Sequence, residues 1–202
     1  MGQVAPSFRL PSGQGPDIGS DDYRGRRNVV VWFTKGMGCP FCRQHMTQLT
    51  RGYPSFHALN TEILEVTTTP LQRARLYVAK FDIPFPYLCD PDYRVRRSWS
   101  LERRSHSPAW YARALVHGMK MEPPPSDFNE VKTSLGEIPS MLADDDMGFF
   151  ILDKGGVVRY ALAGSYVDGG ASRPIPGNEE IVRQLTLCEG ARSVTEKRDR
   201  EA

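Results

Sequence analysis

Two cysteines separated by two residues are the part of the sequence best suited to chemistry. Cys39-Pro40-Phe41-Cys42 follows a loop with two glycines and leads into a stretch with helical periodicity. A cysteine at the start of a helix faces unpaired backbone N–H groups and the positive end of the helix dipole, and both favour thiolate over thiol. An ordinary thiol, with a pKa of about 8.5, is only about 3% ionised at pH 7, whereas a pKa of about 7 makes roughly half of it ionised. The motif therefore predicts a nucleophilic thiolate.

The spacing of the two cysteines predicts different roles for them. Cys39, at the helix cap and nearer solvent, is expected to attack, and Cys42, about one turn further along, is expected to resolve the mixed disulfide. Pro40 suits the first turn because its missing N–H would be unpaired there anyway. Lys35 would add positive charge near the pair, and His45, one turn beyond Cys42, would do the same when protonated.

Other uses of a cysteine pair fit the sequence less well. Cys39, Cys42 and His45 would supply three zinc ligands, but zinc usually needs four and no second cluster is evident. Covalent haem attachment would need a histidine directly after Cys42, where Arg43 stands. We therefore expect neither a metal nor a cofactor, although a structural pair of thiols stays an alternative.

The segments around the pair predict an α/β fold. Asn28–Thr34 is a continuous run of β-branched and aromatic residues, typical of a strand buried on both faces of a mostly parallel sheet. From Cys42 to Leu59, apolar residues recur every three or four positions, which predicts a helix that Pro54 should kink or end. Further predicted elements are an opening strand at 5–10, a strand at Glu62–Thr67, a helix at Leu71–Phe81, a hairpin of Phe149–Asp153 with Val157–Ala163, and a last helix at Glu179–Cys188. This order predicts a central mixed β-sheet flanked by helices.

The length of the chain predicts one domain over residues 1–190, because 202 residues can bury a substantial core and no linker divides them. We interpret residues 103–147 as a partly helical insertion before the C-terminal hairpin. The residues 191–202 are interpreted as a charged, flexible tail. Asp144–Asp146 is expected to form a solvated loop.

The insertion carries several large side chains, which could line a binding groove or a dimer contact, or simply pack over the edge of the domain. Packing is the favoured interpretation. These residues are Trp110, Tyr111, Met119 and Met121.

Composition and charge exclude some classes of function. Hydrophobic residues make up 40% and charged residues 25% of the chain, as in soluble globular proteins, and the net charge of +2 argues against nucleic acid or an anionic membrane as a partner. No apolar run approaches the roughly 20 residues that cross a bilayer, and the N-terminus lacks the pattern of a secretory signal. We therefore expect a cytoplasmic protein, in which Cys89 and Cys188 are buried structural thiols.

Four segments in order resemble the peroxiredoxin-like (AhpC/TSA) branch of the thioredoxin-fold superfamily. They cover most of residues 4–163 and read VAPSFRL, DDYRGRRNVVVWFTKGMGCPFC, FPYLCDPDYRV and FFILDKGGVVRYAL. The resemblance implies a thioredoxin-like fold with the thiol site at the end of the NVVVWFT strand.

The family pattern P-x-x-x-T/S-x-x-C places its attacking cysteine at Cys42, its Thr or Ser at Cys39 and its Pro at Lys35, so only the cysteine is retained. The family's arginine and the thioredoxin cis-proline would both fall near Met147, where neither residue stands, and Pro139 is too far upstream.

These departures set the order of the functional hypotheses. Cleavage of a peroxide needs donors that stabilise the leaving hydroxide, whereas a dithiol needs only a low pKa, an accessible sulfur and a close partner. The first hypothesis is a thiol-disulfide oxidoreductase in which Cys39 attacks, Cys42 closes the disulfide and a thioredoxin- or glutathione-like thiol system reduces it. A two-cysteine peroxidase, with the two roles inverted, and a redox-sensing binding module are the alternatives.

Overall fold

A computed structural model describes residues 1–120, 125–131, 134–165, 167–168, 171–172 and 174–200. The strands are β1 (Arg9–Ser12), β2 (Gly15–Gly19), β3 (Asn28–Thr34), β4 (Thr61–Thr67), β5 (Tyr87–Cys89), β6 (Arg103–Arg104), β7 (Asp144–Leu152), β8 (Val158–Ser165), β9 (Val167–Asp168) and β10 (Ala171–Ser172). The α-helices are α1 (Pro40–Ala58), α2 (Leu71–Lys80), α3 (Arg94–Ser98), α4 (Pro108–Lys120), α5 (Ile138–Leu142) and α6 (Asn178–Arg200). Two 3-10 turns lie at Ser20–Tyr23 and Leu135–Glu137.

The main sheet is mixed, as the sequence predicts. Its strands follow the order β2-β1-β5-β4-β3-β7-β6, and β8 also pairs with β7. β3 is parallel to β4 and antiparallel to β7, and β4 is parallel to β5. Because β3 is a central strand, its carboxyl end and the loop that carries the cysteines lie near the middle of the sheet, where its neighbouring strands also end or begin.

Side chains of β3 alternate between two buried clusters on the two faces of the sheet. Val30 and Trp32 lie in the cluster with the cysteine pair, on the face that α1 covers. Val31 and Phe33 lie in the other cluster. All seven residues of β3 are buried, which explains why a continuous apolar run was required there.

Helix α1 does not end at Pro54, although an end there is one of the two effects that the sequence predicts for this proline. It continues to Ala58, and Pro54 is an internal residue. Buried Leu49 and Phe56 lie on either side of the proline and hold both parts of the helix against the core. This packing offsets the hydrogen bond that proline cannot donate.

The prediction of a solvated loop at Asp144–Asp146 is wrong. These residues begin β7, and Asp145 and Asp146 are buried. Strand β6 pairs alongside them and provides the compensating charges, since Arg103 contacts Asp145 and Arg104 contacts Asp146. Charged side chains can be buried when they are paired in this way.

The rest of the insertion is partly helical, with α4 and α5. Trp110 stacks on His106, with ring centroids 4.0 Å apart. Met121 and the side chain of Met119 lie outside the described residues, so the packing predicted for them stays a prediction.

Helix α6 is longer than the sequence predicts. It continues past Cys188 to Arg200, so residues 191–200, predicted as a flexible tail, are helical. Six of its ten residues are Ala, Arg, Glu or Lys, which have high helix propensity. Among the described residues, no helix combines the length and apolar character needed to span a membrane.

Candidate active site

The loop between β3 and α1 is held tightly against the ends of neighbouring strands. Gly36 has φ of +81°, and a Cβ there would lie 2.3 Å from the Thr69 hydroxyl and 2.6 Å from the Tyr87 hydroxyl. Only glycine fits this conformation and this close approach. The next residue, Met37, donates its backbone N–H to the Tyr87 hydroxyl at 3.1 Å. The loop therefore fixes where the following cysteine begins the helix.

Cys39 is the N-cap residue of α1, and Pro40 is the first residue of the helix. A hydrogen bond from the Cys42 thiol lowers the pKa of Cys39 to about 6, with smaller contributions from the charge of Lys35 and from the backbone N–H groups of Cys42 and Phe41. Burial acts in the opposite direction but is outweighed. The two sulfurs are thus close together, and Cys39 holds negative charge at neutral pH.

Cys39 is less exposed than the sequence analysis expects. Its exposed fraction is 6% and that of Cys42 is 2%, so both thiols are buried and neither projects into solvent. Residues of the insertion lie against the cysteine loop and the start of α1, and they form a cover over the two thiols. Ser126 donates its hydroxyl to the Arg43 backbone oxygen at 3.1 Å, and Glu137 lies against Gly38.

Lys35 connects this cover to the thiol pair. Its ammonium group donates to the backbone oxygens of Met141, at 3.2 Å, and Ala143. The positive charge of this ammonium group also helps to lower the pKa of Cys39. The structure therefore brings Lys35 and Pro40 to the cysteine pair, as the sequence predicts for both.

His45 does not have the role that the sequence analysis expects. Its side chain is buried, and burial lowers its pKa to about 4, so the ring is neutral at physiological pH. It lies edge-on to Trp32, with ring centroids 6.2 Å apart. Helical spacing placed His45 on the face of α1 that contacts the sheet, where a charge would be costly.

The described part of the chain holds no group of three or more His, Cys, Asp or Glu side chains arranged to bind a metal ion. All four cysteines are free thiols in this structure.

A buried arginine near the pair was missed by the sequence analysis. The Arg96 guanidinium donates to the backbone oxygens of Thr34, at 2.8 Å, and Asp146, at 2.5 Å. It therefore lies where β3 ends and β7 begins, next to Met147. Negative charge on Cys42 makes a raising contribution to the pKa of Arg96. Arg96 stands in a run of charged residues, RVRR, which gives no signal that this one turns inward.

Two acidic residues were also missed. Glu65 is fully buried in β4, on the face that carries Trp32. Glu137 accepts hydrogen bonds from Tyr77, at 2.5 Å, and Arg73, at 3.2 Å, and fixes the cover over the loop. The one sequence signal was for Glu65, since a charged residue in the middle of the buried strand EILEVT is unusual.

Comparison with known proteins agrees with this fold. The sequence profile of the AhpC/TSA family matches residues 1–161. Peroxiredoxin 2 of Thermoplasma acidophilum is 29% identical over 107 residues, which cover 50% of this chain and 53% of that protein. The chain spans about half to two thirds of the length of the curated relatives it matches.

Two solved structures share the fold over nearly the whole chain. Peroxidoxin BcpB of Mycobacterium tuberculosis superimposes with a TM-score of 0.59 at 13% identity, covering 94% of this chain and 96% of that one. The reduced 2-Cys peroxiredoxin of Plasmodium vivax gives a TM-score of 0.60 at 16% identity, covering 96% and 98%. With the family profile matching most of its length, the chain belongs to the AhpC/TSA family.

Proposed function

We propose that the protein is a thiol-dependent oxidoreductase in which Cys39 attacks a disulfide or another oxidised sulfur and Cys42 closes an internal disulfide. The observation that supports this most strongly is the hydrogen bond from the Cys42 thiol to the Cys39 sulfur. A hydrogen bond between the two thiols supports the proposal because an attacking thiol and a resolving thiol must lie within reach of each other. We further propose that the enzyme works in the cytoplasm, where a thioredoxin- or glutathione-like thiol returns the disulfide to the dithiol.

The chemistry follows from the ionisation of Cys39. With a pKa of about 6, roughly nine tenths of this sulfur is thiolate at pH 7. Its electron pair forms a bond to one sulfur of the substrate disulfide, and the other sulfur leaves as a thiolate. Cys42 then attacks Cys39 and releases the rest of the substrate, so the substrate gains two electrons and the enzyme becomes a disulfide.

A peroxidase is the second candidate, and two observations favour it. The relatives are named peroxiredoxins. The buried guanidinium of Arg96 also interacts electrostatically with Cys42. In this alternative Cys42 attacks the peroxide and becomes a sulfenic acid, and Cys39 displaces water from it to form the same disulfide. A positive charge beside the reacting oxygens would stabilise the departing hydroxide.

The two assignments are separated by the pKa of each thiol. Alkylation rates against pH would be measured in a chain with Cys89 and Cys188 replaced by alanine. We expect the Cys39 pKa to rise by about one unit or more in Cys42→Ala, because the thiol donor is lost, and by less in Cys42→Ser, which keeps a hydroxyl donor.

The same preparations decide the substrate class. Under the first assignment, wild-type protein reduces a small disulfide rapidly and reacts slowly with hydrogen peroxide in stopped flow. A Cys39 of ordinary pKa, together with a depressed Cys42 pKa and fast peroxide oxidation, would reverse the roles and establish the peroxidase.

A further inference from the structure

The cover segment, residues 134–142, has a single buried side chain, and that side chain is charged. Glu137 is buried, whereas the apolar side chains of Leu135 and Ile138 are exposed. The segment contains the second 3-10 turn and α5. Because few buried apolar contacts hold it, this segment can open locally at a low free-energy cost while the rest of the fold stays intact.

Opening of the cover segment would uncover the loop that precedes Cys39. Both thiols are buried, so a substrate disulfide cannot reach Cys39 while the cover is closed. Glu137 lies directly against this loop, since a Cβ on Gly38 would lie 3.5 Å from both the Cβ and the Oε1 of Glu137. The attachments of Glu137 therefore help to keep the site closed.

Two side chains of α2 bind the Glu137 carboxylate. Tyr77 donates its hydroxyl to Oε1 at 2.5 Å, and Arg73 donates its Nε–H to Oε2 at 3.2 Å. Burial raises the pKa of Tyr77, so the hydroxyl keeps its proton and stays a donor. The Arg73 guanidinium also lies over the Tyr77 ring, 4.7 Å from its centroid, and this contact holds the two groups together independently of Glu137.

These two donors would stay in place when the cover segment moves. Ser134 also donates to Oε2 of Glu137, from its backbone N–H at 2.9 Å and its hydroxyl at 3.0 Å, but Ser134 belongs to the cover segment itself. Arg73 and Tyr77 belong to α2, in the body of the domain. A guanidinium beside a hydroxyl donor suits any carboxylate, so the opened site would accept one from another molecule.

Lys35 gives the opened site a second positive charge. In the closed structure its ammonium group donates to the backbone oxygen of Met141, at 3.2 Å, and to that of Ala143. Movement of the cover segment would take Met141 away and leave the ammonium group close to Cys39, whose pKa it helps to lower. Attraction between opposite charges is stronger in such a partly buried site than in bulk water.

We infer that Arg73 and Tyr77 form a carboxylate-binding site beside Cys39, which Glu137 occupies in the closed protein and a carboxylate of the substrate occupies when the cover segment opens. The inference rests on the proposed function of the cysteine pair and narrows its substrates to anionic disulfides. Glu137 thus acts as an internal substitute for the substrate carboxylate, and binding of the substrate holds the cover open.

The distance between this site and Cys39 suits a small disulfide. The contact at Gly38 and standard chain dimensions place Oε1 of Glu137 within about 9 Å of the Cys39 Cα. The cysteine side chain, an S–S bond of about 2 Å and a short carbon linker that ends in a carboxylate span a similar length. The attacking sulfur and the carboxylate site can therefore engage one molecule together.

A matched pair of disulfides tests this site. The first, 3,3′-dithiodipropionate, carries two carboxylates, and its diamide has the same shape without the charge. Each is mixed with reduced protein in which Cys89 and Cys188 are replaced by alanine, and formation of the internal disulfide is followed by mass spectrometry of acid-quenched samples. Each rate is divided by the rate of the same disulfide with 2-mercaptoethanol, which removes differences in intrinsic reactivity. The diacid should then react at least fivefold faster than the diamide.

Arg73→Gln should reduce this preference to about twofold or less, because it removes the charge that binds the carboxylate. Any loosening of the cover in this variant speeds both substrates alike and cancels in the ratio. Arg75→Gln is the matched control, since Arg75 lies on the same helix with an exposed side chain and its loss changes the net charge equally. It should keep the full preference. Tyr77→Phe, which keeps the ring and removes only the hydroxyl, should at least halve the preference.

Glu137→Gln tests the internal carboxylate separately. Loss of its charge weakens the bond to Arg73, so alkylation of Cys39 by uncharged iodoacetamide should become at least threefold faster, while the preference for the diacid is kept. Peptide mass spectrometry would identify the alkylated cysteine. Glu130→Gln is the control on the cover, since Glu130 is exposed and pairs with Lys80. It should leave the alkylation rate unchanged.

Two results would overturn the carboxylate site: equal normalised rates for the diacid and the diamide, or a preference that Arg73→Gln and Arg75→Gln reduce to the same extent. An unchanged alkylation rate in Glu137→Gln would overturn the occupation of the site by the cover. If neither disulfide oxidises the pair although iodoacetamide alkylates Cys39, the proposed function of the pair would be contradicted instead.

Discussion

Cys39 and Cys89 are both buried cysteines, but their surroundings shift their ionisation in opposite directions. The pKa of Cys39 is lowered to about 6, and burial together with the charge of Glu65 raises the pKa of Cys89 to about 12. Cys39 stands at the start of α1 and Cys89 at the end of β5. Only the helix start supplies a thiol donor, backbone N–H groups and a nearby ammonium group.

This contrast shows that exposure does not select the reactive thiol in this protein. Burial alone disfavours the charged form, and at Cys89 and Cys188 it is the largest effect on the pKa. At Cys39 the donors outweigh it. A reactive cysteine can therefore be kept away from solvent, provided that its charge is held by hydrogen bonds.

The largest expected effect is found by replacing each of these two cysteines in turn. At pH 7, Cys39→Ser should lower the rate of reaction with a small disulfide by about a thousandfold or more, because the attacking thiolate is lost and burial raises the pKa of Cys89 and Cys188. Cys89→Ser should leave the rate within twofold of wild type. The two variants would be compared in the same stopped-flow assay. Equal losses in both would show that the reaction depends on the integrity of the fold and not on one thiolate.

The lowered pKa also predicts how stability depends on pH. Folding lowers the Cys39 pKa from 9.0 to about 6, so between these values the unfolded chain binds a proton that the folded chain does not. Stability from this group is therefore fully present above pH 9 and is lost as the pH falls through 6. Three pKa units correspond to about 4 kcal/mol as an upper limit.

Urea unfolding of reduced protein at pH 6, 7.5 and 9 tests this dependence, with Cys39→Ser as the reference. The difference in free energy of unfolding between the two proteins should increase with pH in favour of wild type. A difference in free energy of unfolding that stays constant from pH 6 to 9 would mean that Cys39 is not ionised in the folded state.

The sequence contained enough information for the elements whose pattern is local. The apolar run at Asn28–Thr34 coincides with β3, and the Lys154-Gly155-Gly156 turn correctly predicts the hairpin of β7 and β8. The position of Cys39 at the start of a helix also follows from neighbouring residues alone. Each of these depends on side-chain periodicity or turn chemistry within a few residues.

Features that depend on distant parts of the chain were not predictable in this way. Asp145 is buried because Arg103, more than forty positions earlier, pairs with it. Arg96 reaches the ends of β3 and β7 only after the chain folds, and His45 is neutral because of what packs against it. Such properties arise from tertiary contacts, for which spacing along the chain gives no signal.

The smallest expected effect concerns the charge of Lys35, which acts on Cys39 less strongly than the Cys42 thiol does. In Lys35→Met, the thiolate loses an attractive charge, so the alkylation rate of Cys39 should fall by about threefold at pH 5.5. Above pH 9 the rate should match wild type, because Cys39 is then fully ionised in both proteins. Lys154→Met is the control, since Lys154 pairs with Glu189 away from the site.

The pH dependence separates the two contributions that Lys35 could make. Its ammonium group also holds the backbone oxygens of Met141 and Ala143, so its loss could loosen the cover over the thiols. A looser cover would raise the alkylation rate equally at every pH, whereas a lost charge lowers it only below the Cys39 pKa. A uniform increase would therefore show that Lys35 acts by closing the site, and that the donors at the helix start are sufficient to hold the thiolate.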